Sequence, residues 1–469
     1  MSDPTSRMSV AERAQRGRDA RTNISRTGHA DWTPDPARRD PVTILRTQNE
    51  QRVPWLVPVR HSRMIVSPFT FYRGGAAIMA EDLSGSPDSG LWVQTGGDAH
   101  LSNFGAYASP SRELVFDAND FDETLPGPWE WDLKRLTASL VVAGQHLGFP
   151  ESSTRAIAAR AVRGYREAMA HYAQMPVMDL WYDYLDVDDV RRISGQSKKT
   201  LKKRLSRFEV RARGRTSLQA LRKLTTRASG SLKIRSQPPL LVPLAELPTE
   251  HDPETLHAAT REAFRRYVGS TDDHIQLLLS RFRFVDMAIK VVGVGSVGTR
   301  CWIVLLEGRD DQDPLFLQIK EAVPSVLEDH LRPSRYPNQG QRVVQGQRLV
   351  QAQTDIFLGW TTGLEDRHFY VRQLRDWKGS ADLESGSAKE LRFYGNLCAR
   401  TLARGHARSG DPVAMSAYMG TSSRLDDAIA EFSVRYARQN LVDYAAFKDA
   451  VADGRLPVST DGHEQSPHR

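Results

Sequence analysis

The chain runs through blocks with different apolar periods. Residues 1–45 mix Pro, Arg and Asp with no apolar stripe, which predicts a flexible arm. Residues 60–85, "RHSRMIVSPFTFYRGGAAIMAEDLSG", set aromatics around a Gly pair and read as ordered. Between 90 and 125, short apolar runs are broken by Gly, Pro and Asp, the pattern of strands joined by functional loops. The period then lengthens. In "WEWDLKRLTASLVVAGQHLG", Leu133, Leu136, Leu140 and Val141 recur at helical spacing up to a closing Gly, and helical patterning continues to about residue 180. Lys and Arg crowd residues 191–236, where Glu209 is the only acid in "KKTLKKRLSRFEVRARGRTSLQALRKLTTR". Prolines in "SQPPLLVPLAELPTEHDP" break that pattern and predict a linker. A strand-rich section from 283 to 322 follows, with "DIFLGW" and "HFYVRQL" as further strands. Helical periodicity returns over 387–408 and 424–453, and "STDGHEQSPHR" reads as a disordered tail.

These blocks predict an α+β chain. Its segments are a flexible arm (1–45), a part carrying acidic loops and helices (46–190), a basic insertion and linker (191–250), a helical connector (251–282), a β-rich part (283–375), a second helical part (376–455) and a tail (456–469). A length of 469 residues accommodates two or three domains or two lobes, and 40% hydrophobic residues supply their cores. No apolar run approaches the length of a membrane span, so no membrane association is expected. Cys301 and Cys398 make neither a disulfide framework nor a metal quartet. The N-terminal residues lack the apolar stretch of a signal peptide, which places the protein in the cytoplasm by default. A net charge of +7 and a pI of about 9.3 suit an anionic partner such as a nucleotide.

The β-rich part holds a glycine signature. "VVGVGSVGTRCWIVLLEG" contains Gly293, Gly295 and Gly298 around Ser296. A dinucleotide fold needs a helix directly after such glycines. Here the next run, "CWIVLLEG", is β-branched, aromatic and apolar, which predicts a strand. Strand, glycine turn and strand make the hairpin that covers ATP phosphates in kinases, with a Lys on the third strand reaching the phosphates. Lys320 ends the apolar run of "DPLFLQIKEA" and fits that role. Glu328, in "PSVLEDHL", is the first candidate to pair with it, because Glu321 points to the opposite strand face.

The acidic loops supply the complementary chemistry. Phosphoryl transfer asks for a carboxylate facing the acceptor hydroxyl, and for an Asn and an Asp holding Mg²⁺ on the phosphates. Asp98 and Asn103, in "TGGDAHLSNFG", have the spacing of the first pair, with Asp98 as the catalytic candidate. "ELVFDANDFDE" offers Asp120, followed by Phe121 as a packing residue, as the metal-binding Asp. Asp122 shares a face with Asp120 if the strand continues, and Asp117 is an alternative. His100 has no companion at zinc-ligand spacing, and the Ser of "GVGSVG" lacks the strand-to-helix context of a hydrolase nucleophile.

"SPFTFYRGGA", "GGDAHLSNFG", "FDANDFDETLPGPWEWDLKRL", "VGVGSVGTR", "LQIKEA" and "GHARSGD" together resemble the bacterial family catalogued as domain of unknown function 2252, over roughly residues 45–455. The resemblance implies a protein-kinase-like two-lobe fold, near the aminoglycoside and choline phosphotransferases, with ATP and Mg²⁺ as cofactors. It also implies that Asp98 and Asn103 match the catalytic Asp and metal-binding Asn of an "HGDxxxxN" loop, with Gly96 in place of the His. Asp120 then matches the metal-binding Asp, and Asp132 a structural Asp, expected to be buried. The acidic loops precede the glycine hairpin, the reverse of the usual kinase order, so the expected fold is circularly permuted, with a hinge near "RQLRDWKGS". Helix "LARGHARSGD" would return toward the acidic loops, bringing His406, Arg408 and Asp411 to the site, with Arg73 of "FYRGG" and His100 as further candidates. The expected activity is transfer of phosphate from ATP to a small-molecule or protein hydroxyl. Nucleotidyl transfer, a silent nucleotide-binding regulator, and nucleic-acid binding through 191–236 are the competing expectations.

Overall fold

The computed structural model describes residues 8–185, 190, 217–228, 231–247, 253–291, 293, 295, 297–374 and 386–459. It is a mixed α+β structure. The larger core is built by the long helices Trp129–His146, Glu151–Tyr172, Ala388–Ser409 and Arg424–Ala452. They pack on one another and bury Leu133, Leu136, Leu140, Ile157, Val162, Leu402 and Ile429. Segments from early and late in the sequence therefore share one helical core, and the β-rich segment lies between them in sequence.

Short ladders sit beside that core. Strands β1 (Trp92–Thr95), β2 (Phe104–Ala108), β3 (Leu114–Ala118) and β4 (Leu125–Pro128) pair antiparallel, β1 with β4 and β2 with β3. A hairpin of β5 (Thr225–Ala228) and β6 (Ser231–Ile234) follows later. Then come β7 (Leu241–Pro243), β8 (Arg283–Lys290), β9 (Cys301–Glu307), β10 (Pro314–Glu321), β11 (Gly359–Thr362) and β12 (His368–Gln373). They form a six-stranded antiparallel sheet in the order β11-β12-β10-β9-β8-β7.

Strand alternation divides the faces of this sheet. Val304, Leu306, Leu315 and Leu317 face helices Pro253–Gly269 and Asp273–Leu279, packing with Tyr267, Ile275 and Leu279. Ile303, Leu305 and Phe316 face helix Ser217–Leu224, packing with Ala220, Leu221 and Leu224. Helix Gln339–Val350, between β10 and β11, brings Val343 and Val344 against Phe121 and Tyr370.

Four sequence expectations change here. The expected flexible arm carries helix Val10–Asp19 and enters helix Pro41–Glu50. It is held by side chains that composition does not reveal. Arg13 pairs with Asp411 at 2.7 Å, and Arg38 bridges the buried carboxylates of Asp82 and Asp443. Trp32 packs on Phe432 and Tyr436. The expected linker contains β7, a sheet-edge strand, where the prolines are tolerated. The basic segment 191–236 lies outside the described residues up to 216, and its remainder is core-forming helix and hairpin rather than an excluded insertion. The expected tail begins with Leu456, which is buried.

Gly17 reports directly on the arm. A Cβ there would lie 1.9 Å from the Ala414 carbonyl oxygen. Gly17→Ala is expected to undock helix Val10–Asp19 and expose the 10–35 region to limited proteolysis, with the helical core unchanged. A wild-type cleavage pattern would contradict the docking.

Candidate active site

One turn of helix Trp129–His146 builds the Asp98 loop. Asp132 and Arg135 stand three residues apart, so they share a helix face. Asp132, buried, accepts from the Gly96 and Gly97 amides at 2.6 and 3.0 Å. Arg135 donates from Nε to Asp98 Oδ1 at 2.8 Å, and its Nη2 holds the Tyr72 carbonyl. Burial alone would lower the Arg135 guanidinium, but the Asp98 carboxylate raises it. Gly97 has φ +78°, and a Cβ there would lie 2.2 Å from the Glu123 carbonyl, so only Gly lets the two acidic loops approach. Asn103 Nδ2 donates to the Asp98 carbonyl at 2.8 Å. His100 accepts from the Ser102 amide at Nδ1, and burial, aided by Arg73 and Arg135, holds its imidazole well below the usual range and hence neutral.

The second acidic loop follows β3 rather than extending it. Phe121, 1% exposed, is anchored against Val343, Val344 and Tyr370. That anchor turns Asp120 and Asp122 outward on either side, the common orientation expected from strand period two but produced by a loop.

Lys320 reaches this loop from β10. Its Nζ lies 2.6 Å from Asp122 Oδ2 and 3.5 Å from Asp120 Oδ1, although 200 residues separate Lys320 from Asp120. Tyr370, directly opposite Lys320 in the β10–β12 ladder, donates its hydroxyl to Asp122 Oδ1 at 2.7 Å. Asp122 is therefore saturated, and despite its burial, Lys320 and Tyr370 hold its carboxyl down to about 2. Burial and repulsion from Asp122 raise Asp120 instead. Burial would discharge Lys320, but the two carboxylates raise it well above its usual range, so it stays an ammonium.

The glycine turn faces this cluster across a cleft. Asp98, His100, Asn103, Asp120, Asp122, Arg73, Gly293 and Gly295 all line it, together with Arg52, Glu123 and Glu321. Gly293 and Gly298 have left-handed φ of +68° and +99°. The turn is strapped to the N-terminal helices: the Val53 amide donates to the Gly298 carbonyl at 2.8 Å, Arg52 to that of Val297, and Arg63 to that of Gly293.

Several expected residues lie elsewhere. Glu328 does not pair with Lys320. It completes a capping box with Ser325 and faces Arg342 at 3.7 Å, because Asp122 already holds the lysine. Glu321, which does line the cleft, is bound by Arg300 and Arg367 rather than by Lys320. Asp117 is fully buried and pairs with Arg404 at 2.6 Å, away from the cleft. His406 does not border the cleft but stands behind it, bonded to Tyr165 at Nδ1 and to Asp132 at Nε2. It thereby braces the Gly96–Gly97 backbone through Asp132. Arg408 stacks on Trp181 and bonds the Gln351 carbonyl, while Asp411 caps helix Pro412–Met419 and pairs with Arg13. Ser296 lies outside the described residues, as do residues 375–380 of the expected hinge. Among the described residues, no group of three or more His, Cys, Asp or Glu is placed to hold a metal by itself.

Arg135, Tyr370 and Arg52 were not anticipated. Arg135 had a signal, its helical spacing from Asp132. Tyr370 had none, since its ladder partner precedes it across an intervening helix and strand.

No curated protein and no solved structure matches the chain. Residues 52–450 match the family described as an uncharacterized protein conserved in bacteria (DUF2252). That span includes every cleft residue named above, and the chain belongs to this bacterial family.

Proposed function

We propose that the protein is an ATP- and Mg²⁺-dependent phosphotransferase on a permuted kinase-like fold. One observation carries this reading: Lys320, on the third strand of the glycine hairpin sheet, meets Asp120 and Asp122, which line one cleft with Asp98, Asn103 and the glycine turn. Further support comes from chain order. The helical core draws on sequence from both sides of the sheet, as a permuted two-lobe fold requires.

The residues fit a phosphate-bound Mg²⁺ rather than a closed protein cage. Mg²⁺ on nucleotide phosphates needs only one or two protein carboxylates. Asp120, raised by burial beside Asp122, is an under-compensated carboxylate, and Asn103 keeps its amide oxygen as an acceptor. These two would hold the ion, which supplies charge neutralisation at the phosphates. Lys320 orients the phosphates. Arg135 fixes Asp98 through Oδ1, and Oδ2, with His100 Nε2 3.6 Å away, takes the acceptor hydroxyl. That hydroxyl oxygen forms the new bond to the γ-phosphorus, the bond to the ADP oxygen breaks, and Asp98 accepts the hydroxyl proton.

Asp120→Asn tests the site. Calorimetric titration with ATP is expected to show Mg²⁺-dependent affinity at least about tenfold weaker, or about 1.4 kcal/mol, with Mg²⁺-free binding little changed. Equal Mg²⁺ dependence in both proteins would remove Asp120 from the role.

A further inference from the structure

In the cleft, the N-terminal segment presents a cation that the phosphotransferase reading does not use. Arg52 lines the cleft with Arg73 and the glycine turn. Among the described residues it has no carboxylate within ion-pair distance. Its Nη1 donates to the Val297 carbonyl, and its Nε is buried without a hydrogen-bond partner. Glu123, Asp122 and Glu321 act on it only through space. A guanidinium in that condition is costly unless an anion completes its hydrogen bonds.

The surrounding chain is shaped around this side chain. Gly298 stands at φ +99°, and a Cβ there would lie 2.9 Å from Arg52 Cδ, so the arginine stem lies on the turn only because the residue is Gly. Arg73 belongs to helix Pro68–Gly74, and its carbonyl lies 3.3 Å from where a Cβ on Gly295 would be. The glycine turn thus touches both arginines, its Val297 and Gly298 carbonyls are already engaged, and Asp98, Asp120 and Asn103 line the same cleft.

We infer that Arg52, with Arg73 beside it, forms an anion subsite that takes a phosphoryl group in the cleft. Guanidinium forks match phosphate oxygens with paired, charge-assisted hydrogen bonds. The phosphoryl group has two sources, the terminal phosphate of the donor nucleotide or a phosphate carried by the acceptor. The subsite itself rests on the geometry of Arg52. Both sources rest on the phosphotransferase reading.

Arg52→Gln in the full chain tests it, because Gln keeps an N–H for the Val297 carbonyl and removes the charge. Melting temperature serves as the fold control. Binding of Mg²⁺-ATP, Mg²⁺-ADP, and inorganic phosphate or pyrophosphate is measured by calorimetry for both proteins. If the donor supplies the phosphate, the variant loses about tenfold or more in ATP affinity while ADP affinity holds. If the acceptor supplies it, ATP and ADP affinities hold and inorganic phosphate binding beside Mg²⁺-ADP is lost by a similar factor. Loss of phosphate or pyrophosphate binding in a protein that binds no nucleotide would support the subsite and sink the nucleotide reading. Unchanged ATP, ADP and phosphate affinities in a folded Arg52→Gln would overturn the subsite and leave Arg52 as a strap for the glycine turn. A wild-type protein that binds none of these ligands would overturn both.

Discussion

Asp98→Asn is expected to bind Mg²⁺-ATP with wild-type affinity and to lose about 10²- to 10⁴-fold in phosphate transfer, the usual contribution of a positioned proton acceptor. The amide retains an oxygen for Arg135, so the bond between Arg135 Nε and position 98 persists. The Asn103 bond to the residue 98 carbonyl is untouched, since it is made to backbone. The loop therefore keeps its shape and only the charge goes. Steady-state turnover together with nucleotide titration separates the two effects. Turnover within a few-fold of wild type would remove Asp98 from catalysis, and a parallel loss of ATP affinity would reassign it to nucleotide or metal binding.

The second large effect is on stability. Asp117→Ala is expected to destabilise the protein by about 3–5 kcal/mol, because it leaves the Arg404 guanidinium buried without its carboxylate. Both partners are essentially inaccessible, and Asp117 also accepts from the Ala352 amide at 2.8 Å. Denaturant melts will show the loss. Replacing both partners by Leu should recover much of it, since the uncompensated charge rather than the missing attraction is the main cost. A stable Asp117→Ala protein with weakened Mg²⁺ dependence would instead make Asp117 the metal residue and displace Asp120.

These two aspartates show what the sequence makes legible. Asp98, Asn103, Asp120 and Lys320 carry the spacing expected of a phosphate site; the first three line one cleft and Lys320 reaches Asp120. Choosing among Asp117, Asp120 and Asp122 needed packing. Phe121 is buried, Arg404 arrives from a helix 287 residues later, and neither fact is written in the local pattern. The lysine partner was misassigned for a related reason. Glu328 is the nearest suitable acid after the strand, but Asp122 comes from the loop that the sheet closes over. Helices with a clear period were readable, as in Trp129–His146. The N-terminal arm was not, because it docks through Arg13 and Arg38 onto acids nearly 400 residues distant. β7 was hidden by flanking prolines that only an edge strand tolerates.

The N-terminal strap gives the cleft a feature beyond the expected parts. The glycine turn is tied to Arg52, Val53 and Arg63, from a segment that sequence order places ahead of the acidic loops. In the proposed permuted fold, the chain that leads into the acidic loops also holds the turn that covers the phosphates. This links phosphate recognition to the docking of the first helices.

Label transfer tests the central claim most directly. The wild-type protein and Asp98→Asn are incubated with Mg²⁺ and a bacterial extract, once with γ-labelled and once with α-labelled ATP. The account predicts label in a hydroxyl-bearing product from γ-labelled ATP only, with wild type only, and abolished by chelating Mg²⁺. Transfer from α-labelled ATP, or equal γ-label transfer by Asp98→Asn, would contradict it.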